Sequence, residues 1–537
     1  MRGQFPVTYF HRSLVLGCSM LALSACGPDD IASPGAGNVD IDINNPAPSP
    51  TPTPTGPALV TPAGACPTIA DPQGLSDEGT ITGPTGTYRV CELPNLIRVS
   101  STLPKVPGLL YSINGRVNVG CDGGFTAPTT AAPHTSTTVG CGSLTSDSNV
   151  TLTIAPGAVL YGATGQSWLV VNRGNKINAD GTATQPIIFT SEDNVAGFNT
   201  DSSQGQWGGV VLLGRGRTTD CAVGSVASNT CERDTEGAAD LARFGGTDDT
   251  YNAGTMRYVQ IRYSGFVLGA NSELQALTTG GIGSGTTLEY IQSHNSSDDG
   301  AEFFGGVVNL RNFVVTGADD DSLDVDTGSR ADLQNVLLIQ RPGQGDALME
   351  IDSNGSEGDT PRTRLRVANF VGLQPQVSAS NESSSRASLF FRGNADVTLV
   401  NGLVVTPNNE CIRMNGSGTT PATLTARSVA LTCSTDKYIG SGSYTPANVQ
   451  TMFGSGSNNN DDNLASTLTM QFVNGANENG IVAFDASTLS SFFTVPSPNR
   501  IGAAWSGNTS WYTGWTCNSS TANFGTSSTS CSSLPTT

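Results

Sequence analysis

Three successive stretches repeat one pattern at nearly constant spacing, and that spacing limits the fold more than any other feature of the chain. Leu288 opens "LEYIQSHNSSDDGAEFFGG", Leu310 opens "LRNFVVTGADDDSLDVDTG" 22 residues later, and Leu333 opens "LQNVLLIQRPGQGDALMEIDSNG" after a further 23. Looser copies run from "VANFVGL" to "SLFFRGN" and from "LVNGLVV" to "CIRMNGSG". Each copy ends in a short segment whose first and third residues are apolar: Ala301 and Phe303, Leu323 and Val325, Met349 and Ile351, Leu389 and Phe391, Ile412 and Met414. The residues between and after them are mostly charged or polar. Side chains alternate faces along a strand, so the pattern predicts short strands with one face inward and the other outward.

A repeat of this length cannot bury its own apolar face and closes a core only by stacking on its neighbours. Leucine-rich repeats lack these acidic turns, and a propeller blade is about twice as long. The remaining solution is an all-β, right-handed parallel β-helix with long loops and a small C-terminal cap, its coils about 4.8 Å apart. Phe303, Val325, Ile351, Phe391 and Met414 then form one internal column, and Ala301, Leu323, Met349, Leu389 and Ile412 a second. Asn312, Asn335, Asn369 and Asn401 recur at one position and predict a side-chain amide ladder at a turn. Earlier β runs extend the stack: "VTLTIAPGAVLYG" (150–162), "SWLVVNRGNKINADGTATQPIIFTS" (167–191), "GQWGGVVLLGRG" (205–216) and "MRYVQIRYSGF" (256–266). "GGIGSGT" (280–286) lacks the lysine and helix of a phosphate loop and reads as a tight turn.

The ends differ in kind. Arg2 and Arg12 precede a short apolar run, Ser13 to Ala25, which is too short for a permanent bilayer span and reads as an export signal. Leu23-Ser24-Ala25-Cys26 resembles the lipobox of bacterial lipoproteins, which implies a lipid (palmitate) on Cys26, and Gly27 in place of aspartate implies sorting to the outer membrane. Residues 32–65 are rich in proline and threonine and form an extended tether. The boundaries read as 1–25 signal peptide, 26–65 lipidated cysteine and tether, 66–145 disulfide-bearing N-terminal β region, 146–435 parallel β-helix, and 436–537 irregular cap. In the last segment, "TPANVQTMF" (445–453) and "DASTLSSFF" (485–493) are helix candidates capped by Thr445 and Asp485, and Trp505, Trp511 and Trp515 are expected to cover the open end of the solenoid.

Ten cysteines remain once Cys18 and Cys26 are set aside, and an even number in an exported chain predicts disulfides. Pairing between sequence neighbours is the simplest connectivity: Cys66–Cys91, Cys121–Cys141, Cys221–Cys231, Cys411–Cys433 and Cys517–Cys531. Acids outnumber bases 45 to 26, for a formal charge of −19. That balance excludes nucleic acid as a partner and favours cations.

The succession "IAPGAVLYG", "INADGTATQPIIFTS", "GQWGGVVLLGRG", "RYVQIRYSGF", "TTGGIGSGTTLEYIQSHNSSDDGAEFFGG" and "GADDDSLDVDTG" resembles a family of β-helical surface lipoproteins of proteobacteria and Bacteroidetes, over about residues 80–430 and again at "SWYTGWTC". Members are often associated with TonB-dependent uptake systems. The resemblance implies a cell-surface or released location and a binding role in nutrient capture or envelope function, with a glycan, a TonB-dependent receptor or another envelope protein as partner.

"GADDDSLDVDTG" (317–328) carries five aspartates and no cation. Alignment of the copies resolves them into columns: Glu302, Asp324 and Glu350; Asp326 and Asp352; Asp298, Asp320 and Asp346. Like charges one coil apart repel by about 0.9 kcal/mol in water and several-fold more where water is excluded. Three readings follow. The columns form a solvated acidic face; or they ligate calcium, which takes six to eight oxygens, with all eight residues as ligands; or Asp320, Asp324 and Asp326 are catalytic acids of a polysaccharide lyase or glycoside hydrolase. Arg311, Arg392 or Arg413 would supply the basic group, with Arg392 beside Asp352. His294 is a candidate base beside Asp298 or Asp299, and Asp248 and Asp249 offer a further cation ligand. No EF-hand loop is present, and a non-enzymatic binding protein is the leading reading.

Overall fold

Leu288 lies beside Leu310 in a parallel ladder, Leu310 beside Leu333, Leu333 beside Val367, Val367 beside Leu399 and Leu399 beside Ala426. The repeat in the sequence is therefore the repeat of the coils. This computed structural model describes residues 59–235, 241–269, 272–353, 358–377 and 386–535. The export signal, Cys26 and the tether up to residue 58 lie outside them. Among the described residues two sheets run the length of a parallel β-helix: a 15-stranded sheet of long strands and an 11-stranded sheet of short ones. Parallel stacking begins with Gly86–Glu92 against Leu109–Ile113, and the antiparallel strand Ser76–Gly83 flanks the first coil. No described helix is long and apolar enough to cross a membrane.

The alternation predicted for the short strands is observed. Phe303, Val325, Ile351, Phe391 and Met414 are fully buried in one continuous core, as are Ala301, Leu323, Met349, Leu389 and Ile412. Removing such side chains from water supplies about 25 cal/mol per Å2, and every coil repeats the contribution.

Each long strand is kinked at one position. Tyr258, Tyr290, Asn312, Asn335, Asn369, Asn401 and Ser428 all have φ between 51° and 61°. Asparagine tolerates this left-handed region better than other non-glycine residues, which explains the recurring Asn. The expected amide ladder is formed only once, by Asn335 Nδ2 donating to Asn312 Oδ1 at 2.9 Å. Asn369 and Asn401 instead bond the C-terminal segment, through Arg500 and Phe484. Tyr258 and Tyr290 occupy the same kink, and their rings stack 4.2 Å apart.

The C-terminal region corrects the expectation for the tryptophans. The open end of the solenoid is covered by the helix Pro446–Phe453, whose Val449 and Phe453 enter the core. Thr445 caps it in a reciprocal capping box. Asp485 caps only a three-residue 3-10 turn, Ala486–Thr488. The remaining tail runs back along the outside of the long sheet. Trp511 and Trp515 pack there against Val314, Leu337, Val371 and Leu403, whose outward apolar faces need cover, and Trp505 is buried in the same region. Outward amide side chains dock the tail as a strand would. Gln292 accepts from Cys517 N at 2.7 Å and donates to Cys517 O at 3.1 Å. Gln334 does the same with Thr494, and Asn401 with Phe484. The tail reaches the first coil, where Tyr88 Oη donates to Pro535 O at 3.3 Å. Five disulfides join the cysteines in sequence order, Cys66–Cys91, Cys121–Cys141, Cys221–Cys231, Cys411–Cys433 and Cys517–Cys531.

Candidate functional site

The outward positions of three short strands form the floor of a recess. Glu302 lies beside Asp324, and Asp324 beside Glu350, in one parallel ladder. Three preceding turns raise its walls with Asp298 and Asp299, Asp320 and Asp321, and Asp346. Glu273 and Gln275 close it from the segment before Leu277. The cavity measures about 250 Å3 and is lined by nine carboxylates and one amide. No arginine, lysine or histidine is among the described residues lining it.

A solvated acidic face is therefore not what forms. Asp298, Asp299, Glu302, Asp321, Asp346 and Glu350 are each at most 9% exposed. Asp320 stands exposed, and Asp324 is partly buried. Two of the acids have structural work. Asp299 Oδ1 accepts from Asp321 N at 2.9 Å, and Asp321 Oδ1 accepts from Ala347 N at 2.6 Å, so equivalent side chains tie each coil to the next. Gln275 Nε2 donates to Asp298 Oδ2 at 3.2 Å and is itself fixed by Thr278. Asp324 differs: its Oδ1 is buried and has no hydrogen-bond partner.

Crowding and burial act on these groups in the same direction. Burial, followed by the charges of Asp298 and Glu302, raises the Asp299 pKa well above the usual carboxylate range. Burial and Glu350 do the same to Asp321, and burial, Asp326 and Glu350 to Asp324. Glu350 is pushed up to about 7 by burial, against the pull of Arg392. At the rim, burial and Asp352 push Asp326 up to about 7. Arg392 bridges Glu350 and Asp352 at 2.9 and 2.7 Å, at the position expected for it.

Three sets of carboxylate oxygens approach within 4.8 Å of one another: Asp298, Asp299 and Asp320; Asp299, Glu302 and Asp324; Asp320, Asp321 and Asp346. Hard cations such as calcium are held by converging oxygens of this kind, with water completing six to eight ligands. Of the eight residues expected as ligands, Asp298, Glu302, Asp320, Asp324, Asp346 and Glu350 line the recess, whereas Asp326 and Asp352 stand at its rim, Asp352 paired with Arg392.

Other sequence candidates lie elsewhere. His294 is fully buried, with Nδ1 2.9 Å from Thr316 Oγ1 and its ring edge-on to Tyr263. Burial and the charges of Arg262 and Arg341 depress its pKa to about 3, so it is a neutral core residue, neither a turn histidine nor a base. Arg311 belongs to the long sheet and packs on Phe492. Asp249 is held by Arg217 and Arg330, and Asp248 accepts from Thr250 within its own turn. Glu273 and Gln275 escaped the repeat because its copies are recognisable only from Leu288 onward; they precede Leu277, which pairs with Ala301 from one coil earlier. Asp299 and Asp321 were legible, being 22 residues apart at the position after Asp298 and Asp320.

The family model of the pectate-lyase like β-helix domain matches residues 130–516. The chain belongs to that family. The match covers the whole run of coils that builds the recess and most of the tail along the long sheet. This pectate-lyase-like domain has no matching curated protein and no matching solved structure.

Proposed function

We propose that the protein is a divalent-cation-binding β-helix that holds an acidic polysaccharide on its flank. One observation carries the reading: nine carboxylates converge on a recess of about 250 Å3 with no protein cation inside it. Packed this closely they repel unless protonated, and a calcium ion relieves several of them at once. A bound cation facing solvent keeps affinity for further oxygen ligands, and the carboxylate of an acidic sugar is a fitting one. The name of the family supports a polysaccharide as that ligand. Calorimetric titration of calcium into chelator-treated protein, followed by oligogalacturonate with and without calcium, tests the reading. Saturable calcium binding and calcium-dependent glycan binding are expected; absence of calcium binding overturns it.

A catalytic version rests on Asp324. A carboxyl with a raised pKa and an unsatisfied oxygen has the properties of a proton donor, beside Asp320 and the rim residue Asp326. Turnover of a polyuronate that disappears in Asp324→Asn would establish a lyase or hydrolase. Retained binding without turnover would leave a binding protein.

The working location that fits is outside the cytoplasm, where five disulfides persist. We place the domain on a lipid anchor at Cys26 in the outer membrane, where it presents captured glycan to an envelope partner such as a TonB-dependent receptor. Palmitate labelling lost in Cys26→Ser, and processing blocked by globomycin, test the anchor.

A further inference from the structure

The outward column of the recess does not end at Glu350. The next strand, Leu389–Phe391, places Phe390 beside Glu350, and the strand after that, Ile412–Asn415, places Arg413 beside Phe390. Along the axis the surface thus changes from carboxylates to an aromatic ring and then to guanidinium groups. Phe390 is 5% exposed, and two guanidinium groups lie against its ring: the guanidinium carbon of Arg413 sits 4.7 Å from the ring centre and that of Arg392 5.7 Å.

The two arginines are not equivalent. Arg392 is neutralised by Glu350 and Asp352. Nearby Arg386 is neutralised by Glu410 at 2.6 Å. Arg413 has no carboxylate within ion-pair distance among the described residues, and its buried Nε has no hydrogen-bond partner. Glu350 lies two strands away, roughly 10 Å between backbones at the usual strand spacing, and its ion pair is with Arg392. A half-buried cation held in place by a ring and making no direct ion pair is poised for an external anion. Burial lowers its pKa, with Glu350 and Asp346 pulling the other way and Arg392 and Arg386 adding to the fall.

We propose that Arg413 is an anion-reading residue that binds a carboxylate of the same glycan chain whose neighbouring acid group is held by the cation in the recess. The proposal rests on the function proposed above and adds to it a direction and a second contact. The glycan lies along the helix axis, with the cation contact over Asp324 and the guanidinium contact about three coils further on. A guanidinium matches the planar fork of a carboxylate, so a polymer with repeated acid groups engages both contacts, and a neutral polymer or a single acid does not.

The test uses the full-length protein saturated with calcium and compares Arg413→Gln and Arg413→Lys with wild type. The probes are oligogalacturonate, a neutral oligosaccharide of equal length, and free acetate and sulfate. The expected result is that R413Q weakens oligogalacturonate binding about tenfold, equivalent to about 1.4 kcal/mol, while its calcium isotherm matches wild type and R413K loses less. Oligogalacturonate affinity unchanged in R413Q overturns the proposal and leaves the cation site intact. So does parallel loss of calcium binding in a variant that melts normally, since that marks a structural role. Should R413Q melt early, R413K with an unchanged melting temperature carries the comparison, and equal affinity for the oligogalacturonate and the neutral probe overturns the proposal. Failure of wild type to bind calcium is the distinct result that removes the underlying function.

Discussion

Raising the pH in the presence of a chelator should destabilise this protein over a range where most proteins are indifferent. The unfolded carboxyl groups titrate near 3.8 to 4.5, whereas Asp326 and Glu350 titrate at about 7 in the fold, and Asp299, Asp321 and Asp324 are also raised. A carboxyl with a raised folded pKa stabilises the fold while protonated, and this contribution is lost as pH rises through the folded value. Ionising Asp326 in place costs about 4 kcal/mol at 1.36 kcal/mol per pH unit, and Glu350 about 3 kcal/mol. The two costs overlap, because the groups interact. Unfolding entropy for the described residues, about 460, is roughly 1 kcal/mol per kelvin, so about 4 kcal/mol corresponds to a fall of about 4 °C. Differential scanning fluorimetry from about pH 5 to about pH 8 in chelator reads this directly. Calcium at about a hundred times its dissociation constant should restore about 3 kcal/mol at the upper pH and little at the lower, where protons compete. Acids such as Asp249, held by Arg217 and Arg330 at about 2, have the opposite sign and act only below about pH 4. A melting temperature that is flat or rising between pH 5 and 8 without calcium would refute the reasoning.

Asp324→Asn removes the central charge of the Glu302–Asp324–Glu350 ladder. In chelator above pH 8 it should raise stability by about 1–3 kcal/mol, from two repulsions at strand spacing, and should abolish the calcium-induced gain in melting temperature. Ile351→Ala, inside the same coil, should cost about 2–5 kcal/mol by denaturant titration, whereas Asn415→Ala on an outward position should cost far less. Asn335→Ala forces alanine to φ 61° and should cost about 1–2 kcal/mol, with Asn335→Gly better tolerated. Gln292→Ala leaves both backbone groups of Cys517 unpaired and should release the tail locally, read as faster amide exchange at residues 515–519.

The repeat made the fold legible because its periodicity is physical: each coil meets its neighbours at the same inward positions, so the apolar alternation from Ala301 to Met414 had to recur. The order of the carboxylates was legible for the same reason. Their burial was not, because walls come from outside the aligned strands, Glu273 and Gln275 among them. Tyr258 and Tyr290 were missed in the left-handed column since tyrosine rarely adopts that conformation, and their stacking on each other beside Trp515 is a tertiary effect. The tail carries no repeat, so its path was invisible. The signal for it was the outward glutamines Gln260, Gln292 and Gln334, whose amides bind Trp515, Cys517 and Thr494.

Anomalous diffraction from a calcium-equilibrated crystal is the most direct measurement. The expected map has Val325 and Ile351 stacked inside, and ordered calcium bound by Asp299, Glu302 and Asp324 within the recess. An empty recess with these carboxylates turned apart, or Val325 facing water, would contradict the assignment.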